Sequence, residues 1–185
     1  MYNFLFQYYM TTFLIDNFND GNVEFILNGK APKPPMSLTE EVSGVIGGVR
    51  DVLFELVSAP DRTCGGELYI LNDGLDCLTV HNRNRSSNST ATIKYGSATA
   101  PLNLSVTPGR FVFNVTSVAG QPTISLSING SAFKSKSAST LANVSFPSRL
   151  FGDIAVINTI VLKISGQPDY DIELDNFSYQ TTEVL

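Results

Sequence analysis

The residues of this chain best suited to chemistry are acids set at strand spacing. Along Pro168–Phe177, Asp171, Glu173 and Asp175 alternate with Tyr170, Ile172 and Leu174, so an extended strand lines carboxylates on one face and apolar side chains on the other. Near the start, Phe13-Leu-Ile-Asp-Asn-Phe18 carries a further acid, Asp16. Pairing of the first and last strands would bring these acids together, and clustered carboxylates repel one another unless a cation or a base relieves them. Hard oxygen ligands suit Ca²⁺. The expectation is a Ca²⁺ site at Asp16 and Asp175, against the alternative of a solvated acidic strand face; no motif for any other cofactor is present.

The remaining chemistry-bearing residues do not assemble into a catalytic pattern. His81 is the single histidine, which rules out a multi-histidine metal site, and on its strand it alternates with Cys77 and Thr79 opposite Leu78 and Val80. Cys64 and Cys77 flank the turn Asn72-Asp-Gly-Leu75 in a register that faces Cys77 toward Ile70, so two free thiols are expected. Gly44-Val-Ile-Gly-Gly-Val-Arg-Asp51 lacks the Gly-Lys-Ser/Thr of a phosphate loop. Its glycines are read as a bend admitting a strand, with Arg50 and Asp51 at the exposed edge. Ser-His-Asp, HExxH, Walker and Rossmann patterns are absent, and the expectation is a protein that is not an enzyme. A paired-carboxylate glycosidase is the enzyme class left standing, because acids far apart in sequence can meet in a fold. Sugar binding needs aromatic platforms; there is no Trp, and Tyr69, Tyr95, Tyr170 and Tyr179 are the candidates.

The elements that would position these groups are strands. A chain of 185 residues with 43% hydrophobic content buries roughly 70% of its unfolded surface as one domain. Only 16% of residues are charged, and Ser, Thr, Asn and Gly are abundant, which suits many short strands joined by polar turns. More than ten strand candidates run from Thr12–Asp16 to Tyr170–Tyr179, with turns at Asn72–Leu75, Thr107–Gly109, Ala119–Pro122 and Asn129–Gly130 and a short helical turn within Pro147–Asn158. The predicted fold is all-β: an antiparallel two-sheet jelly-roll β-sandwich over residues 11–185, preceded by an N-terminal arm over 1–10.

Leu14-Ile-Asp-Asn-Phe18, Gly44–Asp51, Phe151-Gly-Asp-Ile-Ala-Val-Ile-Asn158 and Ile172-Glu-Leu-Asp-Asn-Phe177 together resemble a jelly-roll family common in secreted and surface proteins of cyanobacteria. Its members open with an Asp-x-Phe strand, carry a Gly-Gly-x-Arg-Asp element and close on a Gly-x-x-x-aromatic-Asp strand. The resemblance spans roughly Phe13 to Tyr179 and implies the sandwich fold. The chain shows neither the signal peptide nor the sorting tail of that family, which points to a virion protein of a cyanobacterial virus, assembled in the host cytoplasm. The alternative is an extracellular or cell-surface location reached by a non-Sec route.

Charge and the arm complete the expectation. The net charge is −5, yet residues 81–152 hold seven bases and no acid. Dispersed bases on an acidic protein argue against nucleic acid, and no stretch is apolar enough to span a membrane. Either oppositely charged strands lie side by side, or the protomer has an acidic and a basic surface suited to copies of itself. In an extended arm Tyr2, Phe4, Phe6 and Tyr8 face one way and are expected to bind a neighbouring subunit, the alternative being an arm that folds back and covers an open edge of its own sandwich. The first functional expectation is a capsid cement or decoration subunit whose partners are copies of itself or a capsid or scaffold protein. The second is a jelly-roll carbohydrate-binding module with a glycan partner.

Overall fold

A computed structural model describes residues 8–71, 77–82 and 86–184. Its strands are β1 (Tyr8–Asp16), β2 (Asn22–Asn28), β3 (Met36–Glu41), β4 (Val49–Ser58), β5 (Gly65–Leu71), β6 (Leu78–Asn82), β7 (Asn88–Tyr95), β8 (Leu104–Ser105), β9 (Gly109–Ala119), β10 (Pro122–Ile128), β11 (Lys134–Ser137), β12 (Val144–Pro147), β13 (Val156–Ile157), β14 (Ile160–Gly166) and β15 (Asp171–Val184). Short 3-10 turns occupy Ile46–Gly48 and Ser148–Phe151.

The strands form two large antiparallel sheets and a two-stranded ribbon of β8 and β13. The larger runs β12-β9-β15-β6-β5-β2, with β1 also against β15; the smaller runs β11-β10-β14-β7-β4-β3. The chain passes repeatedly from one sheet to the other, as in a jelly roll. β15 is long enough to serve two neighbours in succession: Asp171–Leu174 pair with β6, and Phe177–Val184 pair with β1. The first and last strands are therefore partners, and Tyr8 is already part of that pairing, opposite Val184.

Alternation decides what enters the core. Tyr170, Ile172 and Leu174 are buried while Asp171, Glu173 and Asp175 stay partly exposed. At the other end, Phe113 stacks on Phe177 at 4.2 Å between centroids, and Phe111 meets Tyr179 edge-on at 4.8 Å. Two irregularities interrupt the alternation. A register shift between Leu14 and Asp16 accompanies burial of both Ile15 and Asp16, and one between Leu174 and Phe177 leaves Asp175 and Asn176 both partly exposed.

The largest departure from the sequence expectation is Arg50. It is fully buried and not at an exposed edge, because it begins the inward row that continues as Val52, Phe54 and Leu56. Gly47 and Gly48, at φ of 76° and 71°, make the bend that starts this strand, as their pairing suggested. Every reachable face of the guanidinium is engaged. Nη1 donates to both Asp16 oxygens at 3.1 Å, Nε donates to Glu40 at 2.8 Å, and Nη2 donates to the Asp20 carbonyl. Asp16 also accepts from the Phe18 N–H and the Tyr95 hydroxyl, each at 2.8 Å, and Glu40 accepts from the Asn22 N–H at 3.0 Å. The network joins β3, β4 and β7 of the smaller sheet to the end of β1 and the start of β2 in the larger one. Gly21, at φ +118°, has no room for a side chain, since a Cβ there would run into Arg50.

Electrostatics follow from this burial. Burial pushes the Asp16 carboxyl up, against the pull of Arg50, the Phe18 N–H and Tyr95. For Arg50 burial works downward, but Asp16 and Glu40 outweigh it and the guanidinium is held more firmly charged. Removing one partner of a buried pair costs about 3–5 kcal/mol, because the other charge is left uncompensated. Arg50→Met should lower unfolding stability in urea by about that amount. Asp16→Asn, destabilising alone, should become stabilising in the Arg50→Met background, because it then removes an orphaned charge. Costs that simply add would show that the pair is not the tie between the sheets.

Two buried phenols give a pH dependence. Tyr95 donates to Asp16, and Tyr170 donates to the Ser89 carbonyl at 2.9 Å. Burial raises both well above the ordinary tyrosine value, with Asp16 adding to the effect on Tyr95. Folded values above unfolded ones mean that this stability is complete below pH about 10 and is lost as pH rises from there toward the folded values. Over that range the unfolded chain releases two protons that the folded chain keeps, a slope of about −2.7 kcal/mol per pH unit. Unfolding free energy measured in urea from pH 8 to 11 should show this fall, and Tyr170→Phe should remove about half of the slope.

Candidate functional site

The acids anticipated for Ca²⁺ have separate partners. Asp16 finds its cation inside the chain, in Arg50, and a metal ion there would have to displace the guanidinium. Asp175 lies in the β15 irregularity, accepting from Asn114 at 2.9 Å and Asn176 at 3.0 Å. Among the described residues no group of three or more His, Cys, Asp or Glu side chains is arranged to hold a metal. Tyr2, Phe4 and Phe6 of the anticipated arm lie outside the described residues, and Tyr8 enters β1 by its backbone. Of the four tyrosines considered as sugar platforms, Tyr95, Tyr170 and Tyr179 are fully buried, because alternation turns them between the sheets. Tyr69 alone among them reaches the surface. Cys64 and Cys77 are both buried and are not joined in a disulfide.

Tyr69 belongs to a cleft that the sheet register builds. Leu68 and Ile70 of β5, Leu78 and Val80 of β6, and Ile172 and Leu174 of β15 all point into the core. Their neighbours are thereby forced onto the outer face of the larger sheet. In one row Glu24, Tyr69, Thr79 and Glu173 stand opposite one another on β2, β5, β6 and β15. In the next row Glu67, His81 and Asp171 do the same on β5, β6 and β15. A cleft of about 290 Å³ results, lined by Glu67, Tyr69, Leu71, Cys77, Thr79, His81 and Glu173.

The groups in this cleft hold one another in place. The Tyr69 hydroxyl donates to Glu67 at 2.8 Å, His81 Nδ1 lies 3.1 Å from Asp171, and Asp171 also accepts from the Asn82 N–H at 3.1 Å. Burial raises the Tyr69 pKa, and the negative charge of Glu24 beside it adds to the rise. The phenol therefore stays a neutral donor at physiological pH. Cys77 Sγ sits 3.3 Å from the Thr79 hydroxyl. Cys77 and His81 are four positions apart on one strand, roughly 13 Å at about 3.3 Å per residue, too far for a thiol–imidazole pair.

What the cleft offers is fixed carboxylate acceptors, a hydroxyl, an imidazole and one phenol ring. Carboxylates accept hydrogen bonds strongly from neutral hydroxyl donors and repel anions. The sequence reading named Tyr69 and His81 separately but not the site. The signal that marks it is the i, i+2, i+4 set Glu67, Tyr69 and Leu71 across the hairpin from Cys77, Thr79 and His81.

No protein-family model matches the sequence, and no curated protein matches it. Among solved structures the chain is similar to TmCBM61, solved in complex with β-1,4-galactotriose, at 12% identity over 82% of this chain and 90% of that one, with a TM-score of 0.33. It is also similar to a family 11 carbohydrate-binding module from Clostridium thermocellum, solved with a β-1,3-1,4-mixed-linked tetrasaccharide, at 13% identity over 84% and 94% of the two chains, with a TM-score of 0.30. Likeness at this level carries nothing about the ligand of the present chain.

Proposed function

We propose that the protein is a non-catalytic glycan-binding module that takes an uncharged stretch of a glycan across β5, β6 and β15. The observation that supports this reading is the cleft itself, where Tyr69 offers an apolar ring face beside Glu67, Thr79, His81 and Glu173. A sugar presents the complement: hydroxyls that donate to carboxylates, and a C–H face that packs on an aromatic ring. This reverses the order of the sequence expectation. A capsid decoration role rested on Tyr2, Phe4, Phe6 and Tyr8, of which the first three lie outside the described residues.

A glycan array followed by titration calorimetry tests the reading. An uncharged oligosaccharide should bind, and Tyr69→Ala should weaken it by about tenfold or more with little change in melting temperature, as expected for loss of an aromatic contact and of the hydrogen bond to Glu67. Glu173→Gln should weaken the same ligand by a smaller factor. Leu38→Ser, on the edge strand β3 of the other sheet, should leave it unchanged. A blank array across plant, algal and bacterial glycans would remove the proposal.

A further inference from the structure

The same outer face carries a second cleft of opposite character. It measures about 340 Å³ and is lined by Pro108, Gly109, Arg110, Pro147, Ser148, Arg149 and Gln180, with no acid among them. Arg110 faces outward because Phe111 beside it is buried, and it stands between Pro147 of β12 and Gln180 of β15. Arg149 follows on the turn after β12. Both arginines are exposed.

The walls are fixed by contacts that leave the two guanidinium groups out. The Tyr179 hydroxyl donates to the Thr107 carbonyl at 2.6 Å, and the Gly109 N–H donates to the Ser148 hydroxyl at 3.1 Å. Pro108 and Pro147 restrict the backbone on either side. Among the described residues neither Arg110 nor Arg149 has a carboxylate within ion-pair distance. Asp153 lines an adjoining cleft that shares Pro108, Ser148 and Arg149, and it pairs with neither arginine. Two unpaired planar donors on a rigid frame contrast with Arg50, whose guanidinium is fully engaged. Such donors match the geometry of a carboxylate or a sulfate, which can accept two parallel hydrogen bonds from each fork.

We infer that Arg110 and Arg149 form an anion subsite for a carboxylate or sulfate substituent of an acidic polysaccharide. β15 connects the two clefts, with Glu173 in one and Gln180 in the other. Seven positions along the strand separate them, roughly 23 Å at about 3.3 Å per residue, so one extended chain lying on this face reaches both. The identity of the polymer rests on the glycan reading above; the arginine subsite does not depend on the Tyr69 cleft.

The experiment is calorimetric titration of the full chain with a matched pair of galacto-oligosaccharides, one sulfated and one not, beside inorganic sulfate and an oligoglutamate peptide. The sulfated sugar should bind about tenfold more tightly than its unsulfated twin, the scale of one charge-assisted contact. Arg110→Gln with Arg149→Gln should erase that preference while leaving the melting temperature unchanged. Tyr69→Ala should weaken both sugars and keep their ratio. If neither unsulfated sugar nor the Tyr69 variant shows any cleft binding, yet the arginine variant abolishes binding of the sulfated sugar, the subsite stands and the glycan-cleft reading falls. Equal affinity for the two sugars, a preference that survives in the arginine variant, or tighter binding of oligoglutamate or of sulfate alone overturns the inference.

Discussion

One buried cation organises this molecule. Arg50 sits between two sheets held largely by apolar packing, and its donors reach Asp16, Glu40 and the Asp20 carbonyl at once. Apolar contacts are non-directional, so a sandwich held by them alone tolerates sliding of one sheet over the other. A hydrogen-bonded guanidinium is not tolerant in this way. It fixes where β1 ends, how β2 begins and which end of β4 meets Tyr95, and the rest of the register follows from those positions. The requirement for Gly21 is a consequence, because the loop backbone must pass against the guanidinium with no side chain between.

That fixed register is also what makes the outer face of the larger sheet specific. β1 ends in the Arg50 network and pairs along the second half of β15, so the first half of β15 is left to β6. Glu173 is thereby placed opposite Thr79, and Asp171 opposite His81. The two ends of the face then differ in charge for reasons of chain order. The acids come from β2, β5 and the first half of β15, while Arg110 and Arg149 come from the stretch 81–152, which contains no acid. The acidic and basic surfaces suggested by the charge distribution meet on a single face, separated along one strand.

Much of the architecture was legible because it depends on period-two alternation. The alternating run Tyr170 to Asp175 announced both the burial of Ile172 and Leu174 and the exposure of Asp171 and Glu173. β3 and β11 were not read from the sequence, since Met-Ser-Leu-Thr-Glu-Glu and Lys-Ser-Lys-Ser lie on sheet edges and carry little of the apolar signal of a half-buried strand. Arg50 was misplaced because a charged residue beside a glycine bend reads as surface unless its counter-ions are known, and those lie on other strands: Asp16 is 34 positions away. The cleft was missed for the same reason. Tyr69, His81 and Glu173 are strung over more than a hundred residues, and only the register of three strands makes them neighbours.

The proposed ligand site lies on the outer face of the larger sheet. The most direct measurement is to follow backbone amide resonances during titration with an oligosaccharide that binds. Shifts are expected at Glu67, Tyr69, Thr79, His81 and Glu173, with Thr123, Ser125 and Lys163 on the opposite face unmoved. Shifts centred on those latter residues, or spread evenly over both sheets, would contradict it.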